Sequence, residues 1–154
     1  MYRIGLGYDV HPLKEGTKGL YIGGVKVSDS VYLSGHSDGD VLCHSIVDAI
    51  LGASSMGNIG TWFPENDRNL GRRSLEFLEV LGEEIKGVWE IMNIDSVIVI
   101  ESVRLSGVVE EIEKSIAGAL GIGASVVSVK PKSGNGSVGS FAQAQAVCLL
   151  RKVG

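Results

Sequence analysis

The sequence predicts an α+β fold: a single mixed β-sheet covered by helices on one face, in a ferredoxin-like arrangement. Three observations predict it. Runs of β-branched and alternating residues trade places with runs of three- and four-residue apolar spacing, in the order strand, helix, strand, helix, strand. The 154 residues, 44% hydrophobic and 21% charged, suffice for a core without disulfide or metal staples and set one domain over 1–154. The 22 glycines exceed the ~7% of average usage and mark tight turns and close backbone approach.

Residues Tyr2 to His11 carry β-branched and aromatic side chains and read as a strand that Pro12 stops. Gly23-Gly24 punctuates a second, short strand region. From His36 to Met56, Val41, Leu42, Ser45, Ile46, Ala49, Ile50 and Ala53 recur at helical spacing, with Asp38 or Asp40 as the N-cap and Gly57 as the stop. Asn58 to Gly71 mixes turn formers with two aromatics and reads as an irregular loop, the kind that carries function in a compact domain. Ser74 to Ile85 returns to helical period through Leu75, Leu78, Leu81 and Ile85. Asp95 to Ile100 is a β-branched run expected as a strand buried on both faces. Val108 to Leu120 is a third helix and Ala124 to Val129 a strand; Lys130 to Ser140 is a glycine-rich loop, and Ala142 to Leu150 is the last strand.

Composition excludes several function classes. The longest apolar stretches, such as Val97–Ile100 and Ala146–Leu150, fall far short of the ~20 residues of a membrane-spanning helix. No leader pattern opens the chain, so a cytoplasmic location is expected. Cys43 and Cys148 are too few and too far apart for a disulfide framework or a CxxC site, and are expected to pack as small hydrophobes. With net charge -4 and no cluster of cations among aromatics, a nucleic-acid partner is not expected. Gly5-Leu6-Gly7 begins like a dinucleotide fingerprint, but Val10 stands where the third glycine belongs.

The chemistry concentrates early. Asp9 and His11 lie two apart in a strand, so both side chains project from one face, as metal ligands would; a polar edge strand facing water needs no more than this. A third ligand decides between the two. His36 precedes the first helix and His44 lies within it, flanked one turn away by Asp40 and Asp48, which are placed to orient its ring. An Asp, His, His set fits a three-ligand zinc site with one open position, and manganese or iron would also accept it.

The motifs D-V-H (Asp9 to His11), H-S-D-G-D-x-x-x-H-x-x-x-D-A-x-L-G-A (His36 to Ala53) and N-I-G-x-x-F-P (Asn58 to Pro64) resemble those of the 2-C-methyl-D-erythritol 2,4-cyclodiphosphate synthases. The resemblance runs along essentially the whole chain. It implies a homotrimer with active sites at subunit interfaces, a zinc ion, and a small-molecule cytidine diphosphate substrate, with Mg2+ or Mn2+ bridging the diphosphate. The implied reaction converts 4-diphosphocytidyl-2-C-methyl-D-erythritol 2-phosphate to the cyclic diphosphate and releases CMP. Two other readings differ in chemistry: a metal- and CMP-binding relative without turnover, and a zinc-dependent phosphohydrolase.

Carried over by position, the resemblance makes Asp9, His11 and His44 the metal ligands. His36 and Ser37 match residues that contact a substrate phosphate, and Asp48 matches an acid behind the metal. Gly60 matches a backbone contact to the erythritol hydroxyls, with Asn58 standing where most relatives have Asp. Ile100, Arg104 and Leu105 match a segment that reads cytosine from a neighbouring subunit. Where the family shows T-T-x-E, this chain has Lys132-Ser133-Gly134-Asn135, so Lys132, with Ser133 beside it, is expected to take over part of the charge of a second ion while Gly134-Asn135-Gly136 turns its amides toward phosphate.

Overall fold

The computed structural model describes all 154 residues. Strand β1 spans Tyr2–Glu15, β2 Leu20–Ile22, β3 Val25–Ser28 and β4 Val31–Leu33; helices α1, Val41–Ser54, α2, Ile59–Trp62, and α3, Leu75–Ile85, follow. Then come β5, Trp89–Val99, α4, Val109–Leu120, a 3-10 turn at Ala124–Val126, β6, Val127–Lys132, and β7, Phe141–Lys152. Five strands form a mixed sheet in the order β4-β1-β7-β5-β6, and β2 and β3 form a separate hairpin.

The α+β class and the mixed sheet follow the sequence reading, but the strand order departs from a ferredoxin-like one. There every neighbouring pair would be antiparallel; here β5 and β6 pair in parallel, joined by the α4 crossover. What remains of that arrangement is that β1 and β5 run parallel with β7 between them, antiparallel to both.

Alternation assigns the faces. On β1, Gly5 and Gly7 face the helices, while Ile4 and Leu6, each 71% exposed, and Tyr8 and Val10 face outward. On β7, Ala142, Ala144, Ala146, Cys148 and Leu150 face inward. Helix α1 lies directly on this strip of small residues and supplies eleven buried residues, among them Leu42, Ile46 and Ile50. A Cβ added at Gly7 would stand 1.7 Å from the Ser45 carbonyl oxygen, and one at Gly5 1.8 Å from that of Ala49. The two glycines of the broken fingerprint therefore set the helix–sheet spacing.

Several boundaries move for identifiable reasons. β1 continues through Pro12 to Glu15, because Pro12 needs no donor where it stands: its carbonyl accepts from Ser34 N–H at 2.9 Å and pairing passes to β4. Asp40, not Asp38, caps α1, accepting from Cys43 N–H at 3.0 Å. The helix ends before Gly57, at Ser55 in the left-handed region with φ 59°. The expected irregular loop contains α2, whose N-cap Asn58 accepts from Thr61 N–H at 3.1 Å. β5 begins six residues before Asp95 because its start pairs with the end of β7. It buries one face, not two, with Ile94, Ser96 and Ile98 inside. β6 starts only at Val127 and runs on to Lys132, and β7 extends over Phe141–Lys152 through long-range pairing. Cys43 and Cys148 are free and buried, as a small hydrophobe would be.

Candidate functional site

The side chains of Asp9, His11 and His44 converge, with one ligand atom from each lying within 4.8 Å of the others. The inward face of β1 supplies the first two and the first turn of α1 the third, so the close helix–sheet approach at Gly7 is also what brings the two halves together. Asp9 Oδ2 is 2.7 Å from His11 Nε2 and 3.0 Å from His44 Nδ1, and the two ring nitrogens are 3.2 Å apart. One carboxylate oxygen and two imidazole nitrogens facing one point fit a divalent transition metal. The outer nitrogens are held: His11 Nδ1 lies 2.9 Å from the Ser34 carbonyl, and His44 Nε2 lies 2.7 Å from Ser74 Oγ and 3.1 Å from Ser37 Oγ.

Charge within the triad is coupled. Burial raises the Asp9 carboxyl, but hydrogen bonds with His11 and His44 and their positive charge outweigh it and hold the pKa below the usual carboxylate range. Burial lowers His11, and the hydrogen bond and charge of Asp9, with the Ser34 carbonyl, reverse that and raise it. The arrangement therefore keeps an anion beside a readily protonated imidazole, the state that a metal cation displaces.

His44 stacks on Phe77 at 6.1 Å and Phe77 on Phe63 at 4.1 Å, which gives the site an aromatic wall. The triad opens into a cavity of about 160 Å³ that also takes in His36, Ser37, Gly60, Glu65 and Asn69. His36 Nε2 sits 2.7 Å from the Asn66 carbonyl, fixing the ring at the rim. Asn58 does not line the cavity but caps the short helix that carries Gly60 into it. Asp48 lies behind, its carboxylate accepting from Ile59 N–H at 2.7 Å, and burial raises its pKa. Its place is that of a brace for α2.

The remaining expected residues lie elsewhere. Ile100, Arg104, Leu105, Lys132 and Ser133 line a separate cavity of about 360 Å³ with Glu101. Within one chain the structure thus brings together Asp9, His11, His44, His36, Ser37 and Gly60 and, apart from them, the Ile100–Leu105 segment and the Lys132 loop. Glu101 fastens that loop by accepting from Val138 N–H at 2.8 Å.

A family model described as YgbB matches residues 2–151. This chain belongs to the YgbB family. Its YgbB relatives include a Kosmotoga olearia protein named 2-C-methyl-D-erythritol 2,4-cyclodiphosphate synthase, 56% identical over 100% of this chain and 99% of that protein. A Pelotomaculum thermopropionicum protein of the same name is 44% identical over 99% of this chain and 97% of its own length. Among solved structures, the Plasmodium falciparum IspF CDP complex aligns with TM-score 0.84 at 36% identity, over 99% of this chain and 97% of that one. A CDP-bound 2C-methyl-D-erythritol-2,4-cyclodiphosphate synthase aligns with TM-score 0.88 at 32% identity, over 97% of this chain and 100% of that one.

Sequence reasoning placed Asp40 and Asp48 as the acids orienting His44, and in this YgbB chain neither carboxylate touches the ring. Asp40 instead holds the β2–β3 turn, accepting from Gly23 N–H at 2.9 Å and Gly24 N–H at 2.7 Å. His44 Nε2 instead meets Ser74 Oγ, itself bonded to Asp38, and Ser37 Oγ, while the Ser34 carbonyl holds His11; the sequence reading assigns no such role to Ser34, Ser74 or Asp38. The one local signal was Ser74: it stands at the N-cap of α3 yet makes no capping bond, because its hydroxyl faces His44 and Asp38. No helix is long and apolar enough to cross a membrane.

Proposed function

We propose that this chain converts 4-diphosphocytidyl-2-C-methyl-D-erythritol 2-phosphate to 2-C-methyl-D-erythritol 2,4-cyclodiphosphate with release of CMP, a lyase step in non-mevalonate isoprenoid biosynthesis. The carrying observation is the Asp9, His11, His44 donor set opening into the same cavity as His36, Ser37 and Gly60. The names of its full-length relatives support the same reading.

The substrate's own 2-phosphate is the nucleophile; its second pKa near ~6 leaves it largely dianionic at pH 7, so no strong protein base is required. The protein's task is to fold a flexible polyanion so that one phosphate reaches another. Asp9, His11 and His44 would hold a zinc ion, which would supply Lewis-acid polarisation and charge neutralisation for the diphosphate. His36 and Ser37 hold a phosphate at the cavity rim, and Gly60 offers its backbone to the erythritol hydroxyls, with Asn58 and Asp48 fixing the α2 turn that carries it. Across the second cavity, Ile100 and Leu105 frame the cytosine, while Arg104, Lys132 and Ser133 meet the diphosphate, a role that Mg2+ or Mn2+ would share.

Such a site needs both cavities on one substrate, which supports a homotrimer in which one copy's cytosine cavity faces its neighbour's metal site. The outward sheet face of Ile4, Leu6, Tyr8, Val10 and Val147 is an apolar surface of the kind that subunits cover. Each copy acts as one domain over 1–154, supported by a single core cluster of 32 buried residues.

Phosphorus NMR of zinc-loaded protein with this substrate tests the reading. Cyclic diphosphate plus CMP is expected. A linear phosphate product would mark a phosphohydrolase, and tight CMP binding without turnover would mark a non-catalytic relative; either overturns the proposal.

A further inference from the structure

Strand β6 ends at Lys132, whose carbonyl accepts from Ile100 N–H at 3.0 Å, and the chain returns to β7 through residues 133–140. Those residues include three glycines and a single buried side chain, Val138, so core packing alone holds them weakly. They wind instead around one carboxylate. Glu101 Oε1 accepts from Val138 N–H at 2.8 Å. A Cβ at Gly134 would stand 3.3 Å from that oxygen and 2.4 Å from Val138 Cγ2, and one at Gly139 3.4 Å from Glu101 Oε2. Between the two glycines, Asn135 and Gly136, at φ 50° and 85°, make a tight turn that Ser137 N–H closes on the Gly134 carbonyl at 3.1 Å. The turn holds Ser133, whose Oγ lies 3.3 Å from Asn135 Oδ1 and accepts from Asn135 N–H at 3.4 Å. Glu101 is also the one acid among the residues lining the cavity it shares with Arg104, Lys132 and Ser133. A carboxylate there opposes a diphosphate electrostatically, so the loop it holds, not contact with substrate, accounts for its place.

We infer that Glu101 is a positioning residue: its carboxylate sets the path of residues 133–140 before substrate arrives and so presents Ser133 to the diphosphate. Lys132 needs no such help, because sheet pairing fixes its backbone, whereas Ser133 lies one residue past the last pair of β6. Preorganisation of this kind spares the ordering cost that a glycine-rich loop would otherwise impose on binding. The inference rests on the proposed meeting of Ser133 with the diphosphate.

Hydrogen exchange at the Val138 amide reads the clamp, and calorimetric titration of Zn2+-loaded protein with CDP and with cytidine reads its effect on binding. Glu101→Ala should open Val138 N–H to exchange and weaken CDP about 10-fold, the scale of one hydrogen bond to a charged group, with cytidine affinity held within twofold. Glu101→Gln keeps an acceptor without the charge, so it should protect Val138 and bind CDP at least as tightly as wild type. Gly134→Ala leaves the carboxylate in place but obstructs the path around it, and should reproduce the Glu101→Ala result even where that protein fails to fold. Ser133→Ala should weaken CDP about 10-fold in the wild-type background and by less than twofold beside Glu101→Ala, a coupling that a general loss of stability does not produce. A Val138 amide that exchanges freely in wild type, unchanged or tighter CDP binding by folded Glu101→Ala protein, or equal Ser133→Ala losses in both backgrounds would overturn the inference. Ser133→Ala without effect on CDP in the wild-type background, while Glu101→Ala still releases Val138, would instead overturn the reading that brings Ser133 to the diphosphate and leave the clamp standing.

Discussion

Gly7→Ala should damage stability and metal binding together, because the same contact sets both. A Cβ at position 7 would lie 1.7 Å from the Ser45 carbonyl oxygen and 2.9 Å from Ala49 N, whereas ordinary contact begins at 3.4 Å. Both obstructions are backbone of α1, which no rotamer change removes, so helix and strand must part by about 1.7 Å along the contact line. Gly7 is not at positive φ, so the penalty is steric alone. Overpacking of this kind costs about 1–3 kcal/mol and more where backbone must move. At the upper figure the melting temperature should fall by about 6–12 °C for a chain of this size. His44 immediately precedes Ser45, and Asp9 follows Gly7 by two residues on the same face, so the 3.0 Å approach of Asp9 Oδ2 to His44 Nδ1 opens as well. Metal sites tolerate shifts of about 0.2 Å. Circular-dichroism melting and Zn2+ titration against a chromophoric chelator read the two effects. A Gly7→Ala protein melting within 2 °C of wild type (about 1 kcal/mol at this size) and binding Zn2+ within twofold would refute the reasoning.

Other outcomes follow from the same contacts. Gly118→Ala, in the interior of α4 with nothing within 4 Å of the new methyl, should stabilise by about 0.5–1 kcal/mol in urea unfolding, against the loss at Gly7. Burial and the Asp38 charge raise Asp40 to about 6, above the 3.8 of an ordinary aspartate, so folding favours its protonated form and stability grows as pH falls through that value. His11, also raised, contributes stability that is complete below 6.5 and disappears as pH rises through its folded pKa. Metal-free protein should therefore resist urea better at pH 5.5 than at pH 8, with Asp40→Asn reducing the difference; a flat or inverted profile would contradict both assignments. Leu6→Glu on the outward sheet face should yield monomers in sedimentation and abolish turnover while the chain stays folded. Trimeric, active Leu6→Glu protein would remove that face from the subunit contact. Lys132→Ala should lose far more activity than Lys18→Ala, and equal, small losses would show that Lys132 does not meet the diphosphate.

Local periodicity made much of the molecule legible. The helical spacing of Val41 to Ala53 located α1, and two-residue alternation put Asp9 and His11 on one face, because both depend only on neighbours along the chain. Strand ends were read less well: the passage of β1 through Pro12 and the early start of β5 at Trp89 depend on pairing with β4 and β7, whose positions no local pattern contains.

By itself the sequence determined the class of fold, the faces of its main elements and the residue types of the metal site. Tertiary structure alone decided which groups act on those residues. Gly5 and Gly7 carry no signal of helix contact until α1 is laid on β1, and the Asp40 carboxylate turns to the Gly23-Gly24 amides and not to the His44 ring. Asp38 reaches His44 through Ser74, 36 residues along the chain. The physical reason is common to all of these. Hydrogen-bond partners and steric limits belong to atoms that meet only after the chain has folded, whereas the alternation of faces is fixed by the backbone geometry of each segment.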